Sequence, residues 1–129
     1  MKAFSLKQLF SVVDGRLSDK MGDVYEIFNT VAGRDVFTHE LPVIWDFVEE
    51  LAPTWFLYSK EIIDKIRLQC DDDFETIMVY FDNHEELEKI TVSELTELQK
   101  KELKEYLHKN NLFTRYKKPV VQVNTTQLV

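Results

Sequence analysis

A chain of 129 residues with 44% hydrophobic and 12% aromatic content is long enough to bury one core and too apolar to be disordered. A net charge of −7 and a pI near 5.0 disfavour general binding to nucleic acid or to an anionic membrane, which both call for a basic surface. The one cysteine, Cys70, excludes an internal disulfide and a cysteine-rich metal site, and fits a reducing cytoplasm.

Taken in chain order, Ser5 is placed to cap a first helix, with Gln8 completing a capping box. Leu6, Leu9, Phe10 and Val13 repeat at helical spacing, and Gly15 is placed to end the helix. The opening is a poor signal peptide, because Lys7, Gln8 and Asp14 interrupt its apolar run. Residues 15–22 read as a loop. A second helix is expected over 23–33, capped by Asp23, striped by Val24, Ile27, Phe28 and Val31, and stopped by Gly33.

Thr38 is expected to open a third helix, with Pro42 tolerated in its first turn and Pro53 forcing a break. Ser59 is then expected to cap a fourth helix running to Cys70, whose thiol lies on the apolar side and reads as buried and inert. The acidic run Asp71-Asp72-Asp73 lacks the alternation and glycine of a calcium loop and reads as a solvated turn, not a metal site.

Residues 74–81, FETIMVYF, are rich in strand formers and are expected to form a strand. A last helix is expected from Thr91 or Ser93 to Asn110–Asn111, with Leu95, Leu98, Leu103, Tyr106 and Leu107 as its stripe. Residues 118–123, KPVVQV, read as a second strand. The fold class is therefore α+β: a mainly helical N-terminal region with a small sheet including residues 74–81 and 119–123. Residues 1–123 are expected to form a single compact domain, with 124–129 as a tail prone to fraying.

No phosphate-binding loop, dinucleotide fingerprint, zinc-protease helix or nucleophile elbow is present, so no catalytic residue, cofactor or metal is assigned. One constellation invites a test. His39 falls at a helix start, where anions bind, and Arg16 and Arg34, both in glycine-bearing loops, are the residues that would meet it there. The bland alternative makes His39 a local packing residue. Residues 53–58, PTWFLY, are unusually aromatic. Trp55 and Tyr58 are the partner-binding candidates of that stretch if it is not simply core. Residues 100–118 are locally basic, read chiefly as a solvated helix face and secondarily as a partner patch.

The stretch from Phe4 to Pro42 resembles a family of small phage and prophage proteins without an assigned activity. The resemblance rests on Gly15-Arg16-Leu17, on Tyr25-Glu26 with Asn29, and on Gly33 through Pro42. Pro119 through Val123 echo the family's terminal strand. Arg34 and Val43 depart from the pattern, which has a small or polar residue before the aspartate and a basic residue after the proline. The resemblance implies a phage origin and a small α+β fold, and no reaction. The leading expectation is a cytoplasmic accessory protein, more binder than enzyme, that contacts a host or antiviral defence protein. The alternatives are a ligand- or nucleotide-binding protein using Arg16, Arg34 and His39, and a virion or assembly component, with homo-oligomerisation open. No membrane partner is expected.

Overall fold

The computed structural model describes residues 1–18 and 20–110. Strand β1 (Lys2–Phe4) leads into helix α1 (Leu6–Val13). Helix α2 (Met21–Ala32), a 3₁₀ turn (Thr38–Glu40) and helix α3 (Leu41–Leu51) follow. Then come α4 (Thr54–Gln69), α5 (Phe74–Asn83), strand β2 (Ile90–Val92) and α6 (Glu97–Lys109). The architecture is mainly helical with a small antiparallel sheet, so the α+β class holds.

The first helix forms as its sequence dictates. Ser5 accepts from the Gln8 backbone N–H at 3.2 Å, and the Gln8 side chain takes the Ser5 N–H at 2.9 Å. The amide end of Gln8 also donates to Asp23 at 3.2 Å, which ties the start of α1 to the first turn of α2. Asp23 is therefore not the cap of α2; that position falls to Lys20, and Asp23 is buried within the first turn. Gly33 ends α2 at φ 72°, in the left-handed region that favours glycine.

Helix α1 lies against α4 and α2, α3 against α2 and α6, and α5 against α1 and α4. Their apolar stripes meet in one core around Leu9, Phe10, Ile27, Phe28, Ile44 and Ile63, each at most 0% exposed. The indole of Trp45 closes it from α3, donating to the Val12 carbonyl at 2.9 Å and packing on Phe28. The expected buried thiol is found: Cys70 lies in this core.

The sheet is built from other residues than expected. Strands β1 and β2 pair in the register Lys2 with Val92, Ala3 with Thr91 and Phe4 with Ile90. Phe4, Ile90 and Val92 face the core, and Leu95 just beyond β2 donates its N–H to the Val31 carbonyl at 2.9 Å. Three-residue strands are too short to show a period of two.

Residues 74–81 are a correction: they belong to helix α5, not to a strand. Alternation would place Ile77, Val79 and Phe81 on one face. The structure buries Ile77 and Phe81 and leaves Val79 56% exposed, which is helical spacing. Asp73 fixes the start by accepting the Thr76 N–H at 2.9 Å. The cap and the apolar period outweigh the weak strand preference of Thr, Ile, Val and Tyr. The expected strand at 119–123, like the frayed tail at 124–129, lies outside the described residues.

Three expected helix starts also move. Helix α4 begins at Thr54 on Pro53, and Ser59 sits inside it, fully buried, donating to the Trp55 carbonyl at 2.6 Å. A serine that bonds back one turn mimics a cap in sequence. Phe37, not Thr38, caps the 3₁₀ turn, with the Glu40 carboxylate taking the Phe37 N–H. Thr38 instead accepts from the Tyr25 hydroxyl at 2.9 Å. Thr96 caps α6 through a capping box with Gln99, and Thr91 lies in β2.

Candidate functional site

Arg16 follows the glycine that lets the chain leave α1 at φ 97°. Its guanidinium reaches back to Asp14, with Nε donating at 2.7 Å and Nη2 at 3.3 Å. It also reaches across to the Asp72 carboxylate at 2.7 Å. Arg67, in the last turn of α4, completes the square. It pairs with Asp72 at 2.8 Å and approaches Asp14 to 3.4 Å. The Asp14 side chain is only 5% exposed, whereas the two arginines are about a third exposed. The Arg16 guanidinium also lies over the rings of Phe10 and Phe74, at 5.5 and 5.8 Å from their centroids.

This network joins the exit of α1 to the α4–α5 turn. Hydrogen bonds from Arg67 and then Arg16 pull the Asp72 carboxyl down to about 2, and the bonds that Arg16 donates to Asp14 and Asp72 push its guanidinium further up. The acidic run is thus a turn between two helices, divided by role. Asp71 and Asp72 take left-handed backbone at φ 52° and 55°, Asp72 binds both arginines, and Asp73 caps α5. Among the described residues, no group of three metal-ligating side chains converges.

Arg34 is held elsewhere. Its guanidinium grips Glu40 with two hydrogen bonds, 2.9 and 3.0 Å, and donates to the Asp35 carbonyl. Arg34, followed by the Phe37 N–H, lowers the Glu40 pKa. His39 is exposed and stacks on Phe37 with centroids 5.8 Å apart. Arg34 and His39 therefore share the neighbourhood of Glu40. Among the described residues, no hydrogen bond, ion pair or ring contact joins either of them to Arg16. The three residues belong to two separate junctions.

The aromatic run divides as a helix divides it. Trp55 and Phe56 turn into the core and pack edge-on, while Leu57 and Tyr58 face outward. Tyr58 donates to Glu88 at 2.6 Å, and that carboxylate raises the phenol's pKa.

A separate concavity lies among the described residues on another side. A cleft of about 1030 Å³ opens between the end of α2, the segment from Gly33 to Glu40, and helix α6. Ala32, Leu103 and Leu107 form its apolar floor. Arg34, Lys100, Lys104 and Lys109 bring positive charge to it against Glu40 and Glu105. Glu40 is committed to Arg34, and Lys100 to Glu94 and Glu97. Among the described residues neither Lys104 nor Lys109 is ion-paired. Leu103 anchors the helix that carries these lysines, and the Tyr106 ring packs on Phe47 of α3 at 5.5 Å. Gly33 lets the Glu94–Lys100 pair approach the end of α2: a Cβ there would stand 2.5 Å from Glu94 Oε2.

The cleft thus gathers one sequence candidate, Arg34, with residues 100–109 of the basic segment. The sequence shows both pieces and not their meeting, because they lie far apart along the chain. Arg16, Trp55 and Tyr58 do not line it.

Fold and cleft together define a small helical α+β domain with a cation-rimmed apolar groove. Residues 4–61 match a domain of unknown function, DUF7736. The matched segment runs from β1 into α4 and supplies the α2 wall of the cleft, while α6 lies beyond it. No curated protein and no solved structure matches the chain. No helix of the described residues is long and apolar enough to cross a membrane.

Proposed function

We propose that this protein is a phage or prophage accessory protein that works in the host cytoplasm by binding another protein. The α2–α6 cleft is its docking surface, and a host or antiviral defence factor is the kind of partner intended. The cleft carries this reading, because an apolar floor with a charged rim is how a protein surface seats a partner segment. The N-terminal signature around Gly15-Arg16-Leu17 and Gly33 through Pro42 supports the phage origin.

The ligand- or nucleotide-site alternative has less support, since Arg16 is engaged by two aspartates and, among the described residues, no hydrogen bond or ion pair joins it to Arg34 or His39. A phosphate site would also draw on a helix start, whereas the cleft meets α2 at its C-terminal end.

Affinity capture from host lysate tests the proposal, comparing the wild-type chain with Leu107→Glu and Lys104→Glu. A protein recovered by the wild type and lost by both variants, each folded by circular dichroism, is the expected result. Equal recovery by all three would remove the cleft from the binding surface.

A further inference from the structure

We infer that the occupant of the α2–α6 cleft is a short acidic segment of the partner protein. Its apolar side chains would seat on the half-buried Leu107, above the buried Leu103, and its carboxylates would face Lys104 and Lys109. This inference rests on the protein-binding reading of the cleft given above.

Charge complementarity selects the occupant. The chain carries −7 overall, yet the charged groups lining this cleft are mainly cationic. The carboxylate nearest its Gly33 end, Glu94, is held by Lys100, and Glu40 is held by Arg34. Lys104 projects from the middle of α6, away from the helix end where a lysine would be accounted for by the backbone dipole. With Glu40 held by Arg34, Glu105 is the one lining carboxylate left to set against Lys104 and Lys109, and this surplus of positive charge beside the half-buried Leu107 favours an incoming chain that brings both carboxylates and apolar groups.

The other occupants fit less well. Residues 111–129 carry Arg115, Lys117 and Lys118 and no carboxylate side chain, so this chain's own C-terminal residues would bring like charge to the lysines. A nucleic acid would match the lysines and leave the leucine floor without a counterpart, against a global field of the wrong sign.

The test selects peptides from a displayed library of random 12-residue sequences on the full-length chain, then measures the selected peptides by fluorescence anisotropy. The expected peptides are enriched in Asp and Glu next to Leu, Ile or Phe. They bind at least about tenfold more weakly to Lys104→Glu/Lys109→Glu and weaken with added salt. In the full-length Lys104→Cys chain, the introduced thiol reacts freely with a maleimide dye and is protected by the peptide, Cys70 being buried.

Selection of basic or uncharged peptides, failure to select any, or binding unchanged by the charge reversal would overturn the acidic assignment. A thiol already protected without peptide would assign the cleft to the chain's own C-terminal residues. Tighter binding of a labelled oligonucleotide than of any peptide would assign it to nucleic acid. If the capture experiment above loses its partner in Leu107→Glu while the selected peptides are not acidic, the docking surface stands and only the occupant falls.

Discussion

Replacing Asp14 by Asn asks whether Arg16 braces the fold. The change preserves size and removes the charge that both arginines approach. It also puts an amide N–H₂ where one carboxylate oxygen stood, so two donors face each other across 2.7–3.3 Å. Breaking a fully buried ion pair costs about 3–5 kcal/mol. Here the carboxylate is 5% exposed, while Arg16 and Arg67 are 36% and 33% exposed and recover hydration when released. That recovery lowers the expected loss to roughly 1.5–3 kcal/mol. Urea unfolding followed by far-ultraviolet circular dichroism reads it as a fall in midpoint at unchanged slope. The same substitution at exposed Asp72 should cost less, since Asn tolerates the left-handed backbone there. A loss below about 0.5 kcal/mol for Asp14→Asn would refute the brace and return Arg16 to the candidate ligands.

Acid should act through Asp72. Its folded-state carboxyl lies near 2 against an ordinary 3.8, so its contribution is present above about pH 4 and is lost as the pH falls toward 2. The difference in melting temperature between wild type and Asp72→Asn should shrink over that window; a difference constant from pH 5 to 2 would contradict the pairing. In α5, Ile77→Lys should unfold the domain, whereas Val79→Lys should change stability by less than about 0.5 kcal/mol. Equal damage at both positions would restore the strand. Gly33→Ala should cost about 1–2 kcal/mol in urea unfolding, from the left-handed backbone and the displaced Glu94–Lys100 pair; an unchanged midpoint would contradict that geometry.

Much of the N-terminal half was legible because its signals are local. The Ser5–Gln8 box, the Gly33 stop and the stripes of α1 and α2 each lie within one or two helical turns. Serine and threonine misled wherever a second role was open to the hydroxyl. Ser59 bonds back inside α4 and Thr38 receives Tyr25, both away from a cap. Residues 74–81 misled because β-branched and aromatic residues suit either element; the deciding cue was the burial of Ile77 and Phe81 around an exposed Val79, with Asp73 just upstream. The sheet was hidden, since β1 and β2 are three residues each and lie far apart along the chain.

The candidate site shows the same division. Arg34 and the lysines of α6 were visible as charges, but their meeting depends on how α6 docks on α3, where Tyr106 packs on Phe47. Arg16 looked available because the aspartates that engage it lie two and 56 residues away, and only the nearer was in view of the turn. Residue type and a loop address do not reveal whether a charge is already paired.

Site-specific photo-crosslinking in host cells tests the central claim most directly, with benzoylphenylalanine placed at Lys104 on the cleft or at Lys65 on the exposed side of α4. The account predicts a discrete protein adduct from position 104 and none from position 65. An adduct from position 65 alone, or none from either, would contradict it.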